Sequence, residues 1–175
     1  MAKTGMFFND RVFFIVQAMV KYIPFDWGIN FRSFLYRRFF KKFGRRVRIK
    51  DGTTFKFPSE IELGDDCTIG EFCYFVGRSG LKIGNNLLMG AGSKITTSSH
   101  VFATRDRPIS VQGISFIPVE LESDVWLGFD VKILAGSYIA KGCIVGAGAL
   151  VNKRFNEPYK ILLGMPATVH GERPK

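Results

Sequence analysis

Apolar residues recur at every sixth position through most of the chain. The twelve positions of this pattern are Leu63, Ile69, Phe75, Ile83, Met89, Ile95, Leu121, Leu127, Ile133, Ile139, Val145 and Val151. Glycine follows six of the twelve, and the residue four positions after the apolar one is small or aliphatic in all repeats but the last. A period of six fits neither an amphipathic helix nor a simple alternating strand, but it suits a short strand followed by a turn. The pattern predicts an all-β solenoid, a parallel β-helix of hexapeptide repeats with three units in each triangular coil.

Two interruptions divide the repeat. Two extra residues between Phe75 and Ile83 predict a small bulge at a corner of the coil. A larger gap follows Ser99, since the next clear repeat starts at Leu121 and about twenty residues therefore leave the coil at His100. We expect these residues to form an excursion loop over residues 101–118.

The segments outside the repeat have other patterns. Two groups of apolar residues lie at helical spacing, separated by residues 24–28: Phe13, Val16 and Val20, then Phe31, Leu35, Phe39 and Phe43. They predict two short amphipathic helices, the second with basic residues on its other face. The chain is thus expected to divide into a helical, basic segment (1–44), a β-helix domain (45–155) and a C-terminal extension (156–175). Because open coil ends expose unpaired strand edges, both terminal segments should cover them.

The formal net charge of +10 is concentrated in one short region. Between Arg32 and Lys50 lie nine basic residues and no acidic residue. This run predicts an anionic partner, which could be a phospholipid surface, a phosphorylated lipid carrier or a nucleotide, while a solvated basic face is the structural alternative. Nucleic acid is not expected, because no recognition motif accompanies the charge.

The chain carries no sequence signal for export or for crossing a membrane. The apolar run from Val12 to Val20 contains Gln17, is too short to span a bilayer and leads into Lys21 instead of a cleavage site. We expect a cytoplasmic protein, with peripheral contact of the basic 32–50 segment at the inner face of the cytoplasmic membrane as an open question.

The three cysteines occupy one slot of the six-residue repeat. Cys67, Cys73 and Cys143 all lie four residues after an apolar position. We interpret them as inward-facing small hydrophobic residues in a reducing compartment, because they form no CxxC pair or disulfide framework.

The second half of the repeat resembles a known family. The stretch PVELESDVWLGFDVKILAGSYIAKGCIVGAGALVNK, followed by GMPATV, is similar to the hexapeptide-repeat acyltransferases, and the resemblance extends over about residues 45–169. The order of a corner histidine, an excursion loop and two glycine-containing coils resembles that of sugar O-acetyltransferases. The resemblance implies a left-handed β-helix, a homotrimer and acetyl-CoA bound in the groove between neighbouring prisms. The stretch RSFLYRRFFKKFGRRVRI is similar to the lead-in of members that acetylate surface polysaccharides or their lipid-linked precursors.

His100 is the candidate general base. A sugar hydroxyl attacks a thioester only while its proton is being removed, and imidazole suits that role near neutral pH. His170, the only other histidine, lies in the tail. The resemblance also implies an oxyanion donor, a backbone N–H near Gly128, although Gly128 could be an ordinary turn glycine.

Further candidate residues follow from the resemblance. Trp126 is expected to line the cleft, Gly146 and Ala147 to lie against the pantetheine arm, and Lys153 and Arg154 to meet coenzyme phosphates, unless the two cations are ordinary surface charges. The candidate acceptor contacts are Asn85, Arg105, Asp106 and Arg107, and Asp106 could also orient His100.

No metal is expected. A β-helical carbonic anhydrase needs three histidine ligands, whereas only His100 lies within the repeat.

The sequence favours an acetyl-CoA-dependent O-acetyltransferase that acts on a saccharide acceptor, either a surface polysaccharide or a lipid-linked saccharide. Two alternatives stay open. One is an N-acetyltransferase of a nucleotide-linked amino sugar, and the other is a non-catalytic β-helix that serves as a binding module.

Overall fold

The computed structural model describes residues 2–175, with side chains from residue 9 onward. Side chains of the first eight residues, which belong to the predicted segment 1–44, therefore lie outside the described part. Two helices, α1 (Ala2–Val20) and α2 (Phe25–Tyr36), precede a solenoid of short parallel strands. Short 3-10 helices lie at Pro58–Glu60 and Ile109–Val111.

The strands form three parallel sheets, which we name faces A, B and C. Face A contains β1 (Lys42–Phe43), β4 (Ile61–Leu63), β7 (Leu81–Ile83), β12 (Val119–Leu121), β15 (Tyr138–Ile139) and β18 (Arg154–Phe155). Face B contains β2 (Arg48–Ile49), β5 (Thr68–Ile69), β8 (Leu88–Met89), β13 (Trp126–Leu127), β16 (Ile144–Val145) and β19 (Lys160–Leu163), with β20 (Thr168–Glu172) antiparallel to β19. Face C contains β3 (Thr54–Lys56), β6 (Tyr74–Val76), β9 (Lys94–Thr96), β14 (Lys132–Ile133) and β17 (Leu150–Val151). Because the chain visits A, B and C in turn, about six coils stack into a triangular prism.

The six-residue repeat determines which side chains form the core. All twelve repeat positions are buried, and each pairs in register with the same position of a neighbouring coil, as Leu121 does with Ile139. Ten of the residues four positions later are buried as well, including the three cysteines, whereas Ser79 and Ser99 are not because they lie where the repeat is interrupted. Phe155 is paired with Ile139, so it occupies a strand position and starts a sixth coil.

The number of residues between paired strand positions reflects the two interruptions of the repeat. Partners on face A lie 20 residues apart at Leu63 and Ile83, and 18 apart at Leu121 and Ile139. Across the gap, Ile83 pairs with Leu121, 38 residues later. The excursion therefore adds about twenty residues without changing the register of the strands on either side. Its ends form an antiparallel pair, β10 (Ser98–His100) with β11 (Ile114–Phe116).

The two helices cover the first coil. Phe13 of α1 packs edge-on against Tyr36 with ring centroids 4.9 Å apart, and Phe55 of the first coil stacks on Phe75 of the second at 4.5 Å. Buried polar side chains also bind the open strand edge: the Gln17 amide accepts from the Phe55 N–H at 2.7 Å, and the Arg32 Nε donates to the Ile49 carbonyl at 3.0 Å. The open edge of the first coil is predicted to need cover. Its backbone N–H and C=O groups are hydrogen-bonded by helix side chains instead of by a further strand.

The buried face of α2 differs from the predicted one. The spacing of Phe31 and Leu35 predicts that this side faces the core, but the buried residues are Ile29, Arg32 and Tyr36, and Phe31 is exposed. The prediction fails at Phe31, because Arg32 donates to the Ile49 carbonyl of the coil and to the Val20 carbonyl of α1 and so turns Phe31 outward. The other predicted residues, Leu35, Phe39 and Phe43, are partly buried against the core, although the helix ends at Tyr36 and Phe43 lies in β1.

Most of the basic run is paired within the molecule. Arg45, Arg46 and Lys50 each bind an acidic residue of the next coil, as Arg46 does with Asp66 at 2.5 Å. These cations therefore join successive coils.

Candidate active site

His100 lies where the excursion leaves the prism, at the end of β10. The buried Thr97 anchors this point: its N–H and its Oγ1 both donate to the Val76 carbonyl, and its own carbonyl accepts from the Ile117 N–H at 2.9 Å. Both ends of the excursion are thus tied to one residue, three positions before His100. The imidazole is exposed on a rigid corner. We name this corner the C–A edge; it follows the strands of face C and includes Leu134, Ala135 and Lys153.

A cleft of 520 Å³ opens beside His100. Its walls are mostly apolar and come from the excursion and from the following coil: Ser98, Ser99, Val101, Phe102, Ala103, Ser115, Ile117, Leu134 and Ala135. An apolar wall limits the access of water to the cleft and favours the non-polar surface of a ligand. The six-residue pattern predicts no role in the site for Leu134 and Ala135, although their position in the coil that faces the excursion is a signal for one.

Gln112 holds the outer part of the excursion. Its side-chain amide donates to the carbonyls of Thr104 at 2.8 Å and Arg107 at 3.0 Å, and it accepts from the Thr104 N–H. The Asp106 carboxylate accepts from the Thr104 Oγ1 at 2.8 Å, and no hydrogen bond joins it to His100 in the described part of the chain. The structure therefore gives Asp106 a role in the loop itself.

Glycines line a second corner, the B–C edge, which includes Gly90, Gly128, Gly146 and Ala147. A Cβ on Gly128 would lie 2.7 Å from the Ala147 nitrogen, and one on Gly90 would lie 2.6 Å from the Gly128 carbonyl. These positions exclude a side chain because the coils stack so closely there. The reading of Gly128 as a structural turn glycine is thus supported, and it is compatible with close approach of a ligand.

In the described part of the chain, the backbone N–H that lacks an acceptor at this turn belongs to Phe129 and not to Gly128. The Gly128 N–H already donates to the Val145 carbonyl at 2.8 Å, whereas the next amide, that of Phe129, has no acceptor among the described residues. The buried Ser93 fixes this turn, since its Oγ donates to the Gly128 carbonyl and accepts from the Val131 N–H, both at 3.0 Å. The sequence signal for this role of Ser93 is a polar serine at an inward-facing position of the repeat.

Trp126 lies beside the B–C edge on the outer side of face B. Its ring is 48% exposed, and its register partners on this face are Leu88 and Ile144. These three side chains form an apolar column on the outside of the prism.

The remaining predicted residues lie on other edges. Lys153 lies on the C–A edge after the last strand of face C, and Arg154 begins β18 of face A beside it. Their cationic groups lie over the rings of Phe155 and Tyr138 at 5.3 and 4.4 Å. Asn85 lies on the third corner, between faces A and B, where its Oδ1 accepts from the Asp65 N–H at 2.8 Å. Arg105 and Arg107 are exposed on the excursion.

The structure therefore divides the predicted site within one chain. His100, Lys153 and Arg154 lie at one end of the face C strands, and Trp126, Gly128, Gly146 and Ala147 lie at the other end. Strand β14 (Lys132–Ile133) lies between residues 128 and 134, so the two groups of predicted residues lie at opposite corners of face C in one chain.

The three cysteines are buried in the core of the prism. Burial raises the pKa of the Cys73 thiol to about 11, and it also raises the pKa of Cys67 and Cys143. A thiol with a raised pKa is a poor nucleophile near neutral pH. Among the described residues there is no group of three or more His, Cys, Asp or Glu side chains that could hold a metal ion.

Relatives in sequence are named acetyltransferases. The chain is 32% identical over 127 residues to a probable acetyltransferase of Mycobacterium tuberculosis, a match that covers 72% of this chain and 42% of that protein. It is 28% identical over 168 residues to a putative colanic acid biosynthesis acetyltransferase of Escherichia coli, covering 93% of this chain and 86% of that protein. The chain thus spans less than half the length of the mycobacterial relative. No protein-family model matches the chain.

Solved structures share the fold. A hexapeptide-repeat acetyltransferase of Vibrio cholerae, complexed with acetyl coenzyme A, has a TM-score of 0.84 at 22% identity, with 95% of this chain and 88% of that chain covered. An N-acyltransferase of Bacillus cereus, in complex with dTDP-4-amino-4,6-dideoxyglucose and coenzyme A, has a TM-score of 0.64 at 19% identity and covers 75% and 72% of the two chains. The predicted left-handed β-helix and the resemblance to hexapeptide-repeat acetyltransferases are confirmed.

Proposed function

We propose that this chain, whose fold is that of the hexapeptide-repeat acetyltransferases, is an acetyl-CoA-dependent O-acetyltransferase that acts on a saccharide hydroxyl. The observation that carries the proposal is the position of His100, exposed on an anchored corner at the mouth of an apolar cleft. The acceptor class that fits the named relatives is a surface polysaccharide or its lipid-linked precursor, because one of them is named for colanic acid biosynthesis.

In the proposed reaction His100 is the base. A ring nitrogen takes the proton of the sugar hydroxyl while the hydroxyl oxygen attacks the thioester carbonyl and forms the new C–O bond. The Phe129 N–H donates to the oxygen of the tetrahedral intermediate. The C–S bond then breaks, and the imidazolium returns its proton to the leaving thiolate. Lys153 and Arg154 supply positive charge for the coenzyme phosphates, and the backbone at Gly146 and Ala147 leaves space for the pantetheine arm.

The two halves of the site are supplied by two copies of the chain in this proposal. His100 lies on the C–A edge and Phe129 on the B–C edge, so a cyclic homotrimer would place one edge of each subunit against the other edge of its neighbour. The exposed apolar column of Leu88, Trp126 and Ile144 on face B supports such packing, because half-exposed apolar columns are commonly buried by a partner.

The first experiment measures thiol release from acetyl-CoA with a panel of free sugars, nucleotide sugars and lipid-linked saccharides. The native chain is compared with His100→Ala and with His170→Ala, a matched control because His170 is also exposed and lies in the tail. We expect one acceptor class to be turned over, a loss of about a hundredfold or more in His100→Ala and no loss in His170→Ala. Full activity of His100→Ala would exclude it as the base.

An N-acetyltransferase is the second candidate. Arg105 and Arg107 are exposed on the excursion, whose first residues line the cleft, and they make no ion pair among the described residues, so they could bind the phosphates of a nucleotide-linked amino sugar. The same panel separates the candidates, since a preference for amino sugar nucleotides over hydroxyl acceptors would favour this one. If the native chain neither binds nor cleaves acetyl-CoA, a non-catalytic binding module becomes the better interpretation.

A further inference from the structure

The outer face of α1 is apolar, which is unusual for a helix that faces solvent. Phe14, Ile15, Ala18 and Met19 are exposed, and Met19 retains 76% of its accessible surface. Phe13, Gln17 and Val20, on the opposite side, are buried against the first coil. The first coil is thus covered by the inner side of α1, and the apolar side chains of the outer side remain exposed.

The outer face of α2 continues this surface with aromatic side chains. Trp27, Phe31 and Phe34 lie four and three residues apart, so they form one stripe along the helix, and Trp27 is 60% exposed. Between the helices, Tyr22 and Phe25 are exposed as well. We call this surface the aromatic cap: Phe14, Ile15, Met19, Tyr22, Phe25, Trp27, Phe31 and Phe34. Both helices turn their other side to the first coil, so most of the cap faces away from it, while Phe25 and Phe34 also border clefts between α2 and the coil residues.

Cations border the aromatic cap. Arg11, Lys21, Arg37 and Arg38 form no ion pair with any described residue, unlike the cations that join successive coils. The Arg38 guanidinium lies over the Phe34 ring at 5.5 Å, and the Lys21 ammonium lies over the Tyr22 ring at 4.8 Å. The acid of this region, Asp26, is paired with Arg48.

We propose that the aromatic cap docks onto a bilayer that contains anionic lipid. Aromatic and aliphatic side chains on the outer face of a helix, bordered by unpaired arginine and lysine, are what an interfacial helix needs to enter the headgroup region. Headgroup phosphates would supply the anionic partners that these four cations lack among the described residues. The helices lie on the membrane, since no helix in the described residues is long and apolar enough to cross one.

A second copy of the chain fits this surface less well. Two aromatic caps packed face to face around a twofold axis would bring the same four cations together, and like charges at an interface oppose association. An anionic membrane meets both features of the surface, apolar area and positive charge. The inference does not depend on the proposed acyl transfer, because it concerns the opposite side of the helices from the coil and is measured without acceptor or coenzyme.

The test is sedimentation of the full chain with phosphatidylcholine vesicles, with and without phosphatidylglycerol. We expect binding to the anionic vesicles, weaker binding to the neutral ones, and a decrease at high salt. The triple variant Trp27→Ser, Phe31→Ser, Phe34→Ser should bind about tenfold more weakly or worse, since it removes three large apolar side chains from the bilayer. Its thermal unfolding should be unchanged because the three residues are exposed.

A matched control variant is Met165→Ser, Val169→Ser, which removes two exposed apolar side chains at the C-terminal end of the chain. It should bind vesicles like the native chain. A second readout uses Trp126→Phe, which leaves Trp27 as the only tryptophan, and its emission should shift to shorter wavelength on anionic vesicles.

Three results would overturn the proposal. They are no binding of the native chain to anionic vesicles, an equal loss in the control variant, and a triple variant that changes oligomeric size in solution while its vesicle binding stays intact. The last result would identify the aromatic cap as a contact between copies of the chain.

Discussion

Polar side chains of the helices act as substitutes for a strand above the first coil. Gln17 binds both the N–H and the carbonyl of Phe55, and Ser33 donates from its hydroxyl to the Val47 carbonyl at 2.7 Å. From the sequence, Gln17 is an interruption in an apolar run and Arg32 is one of nine cations. Their burial could not be predicted because it depends on which backbone groups the coil leaves open.

The variant Gln17→Leu tests whether the Gln17 side chain takes the place of a neighbouring strand. Leucine keeps most of the volume but leaves the N–H and the carbonyl of Phe55 buried without a partner. We expect the free energy of unfolding, measured with urea, to fall by about 3 kcal/mol. Asn30→Ala on the exposed side of α2 is the control and should change it by less than about 0.5 kcal/mol. An equally small effect in Gln17→Leu would mean that the edge does not need the amide.

Gly128→Ala tests the close stacking at the B–C edge. The added Cβ would lie 2.7 Å from the Ala147 nitrogen, a backbone atom that cannot move without shifting the next coil. We expect a loss of about 1–3 kcal/mol in unfolding free energy. Gly171→Ala is the control, because its nearest neighbour would be a side-chain atom at 3.9 Å. Equal stability of the two variants would contradict the steric argument.

At the scale of elements, the excursion is a hairpin inserted into an otherwise regular solenoid. Its two ends are fixed by Thr97, and its outer part is held mainly by the side chain of Gln112. The six-residue repeat predicts where the chain leaves and returns, but it carries no information about the path between. That path depends on individual contacts such as the one between Asp106 and Thr104.

Gln112→Leu should loosen the excursion without unfolding the solenoid. It removes hydrogen bonds to Thr104 and Arg107, so the segment should open more often and trypsin should cleave after Arg105 several-fold faster. The melting temperature should change little, since the core strands do not contact Gln112. Ser110→Ala, on the exposed side of the loop, is the control. An unchanged cleavage rate would show that other contacts hold the loop.

At the scale of the whole molecule, ion pairs connect one coil with another along the outside of the prism. Asp65 and Asp66 pair with arginines of the preceding coil, and both carboxyls have a lowered pKa. Asp130 accepts from Lys94 and Lys132, which lowers its pKa from 3.8 to about 2. Burial acts in the opposite direction at Asp10, where it raises the pKa.

These shifts predict how stability depends on pH. A carboxyl whose pKa is lower in the folded than in the unfolded chain stabilises the fold at pH values above its unfolded-state pKa. This contribution is lost as the pH falls through the folded-state pKa, because the unfolded chain then binds more protons. The melting temperature should therefore drop as the pH falls from about 4 towards 2. Asp130→Asn should make this drop less steep than in the native chain. If the melting temperature of Asp130→Asn fell as steeply with pH as that of the native chain, the ion pairs of Asp130 with Lys94 and Lys132 would not explain the pH dependence.

The proposed shared site predicts complementation between two inactive variants. His100→Ala removes the base on the C–A edge, and Ala147→Trp fills the space on the exposed B–C edge of a different subunit. If each site combines edges of two subunits, randomly mixed trimers should recover about a quarter of native activity, because one interface in four then joins two intact edges. The measurement is thiol release after the variants are unfolded and refolded together. No recovery in mixed trimers would place the site within one chain.

The sequence by itself determined the solenoid, the three-sided coil, the inward slots of the cysteines and the point where His100 leaves the prism. All of these follow from spacing along the chain, and spacing is sufficient when each unit repeats the geometry of the one before it. Tertiary structure alone decided which side of α2 is buried, which cations are paired, and that His100 and Gly128 lie on different edges. These depend on groups far apart in the chain, where a hydrogen bond to an open coil edge outweighs the helical apolar pattern.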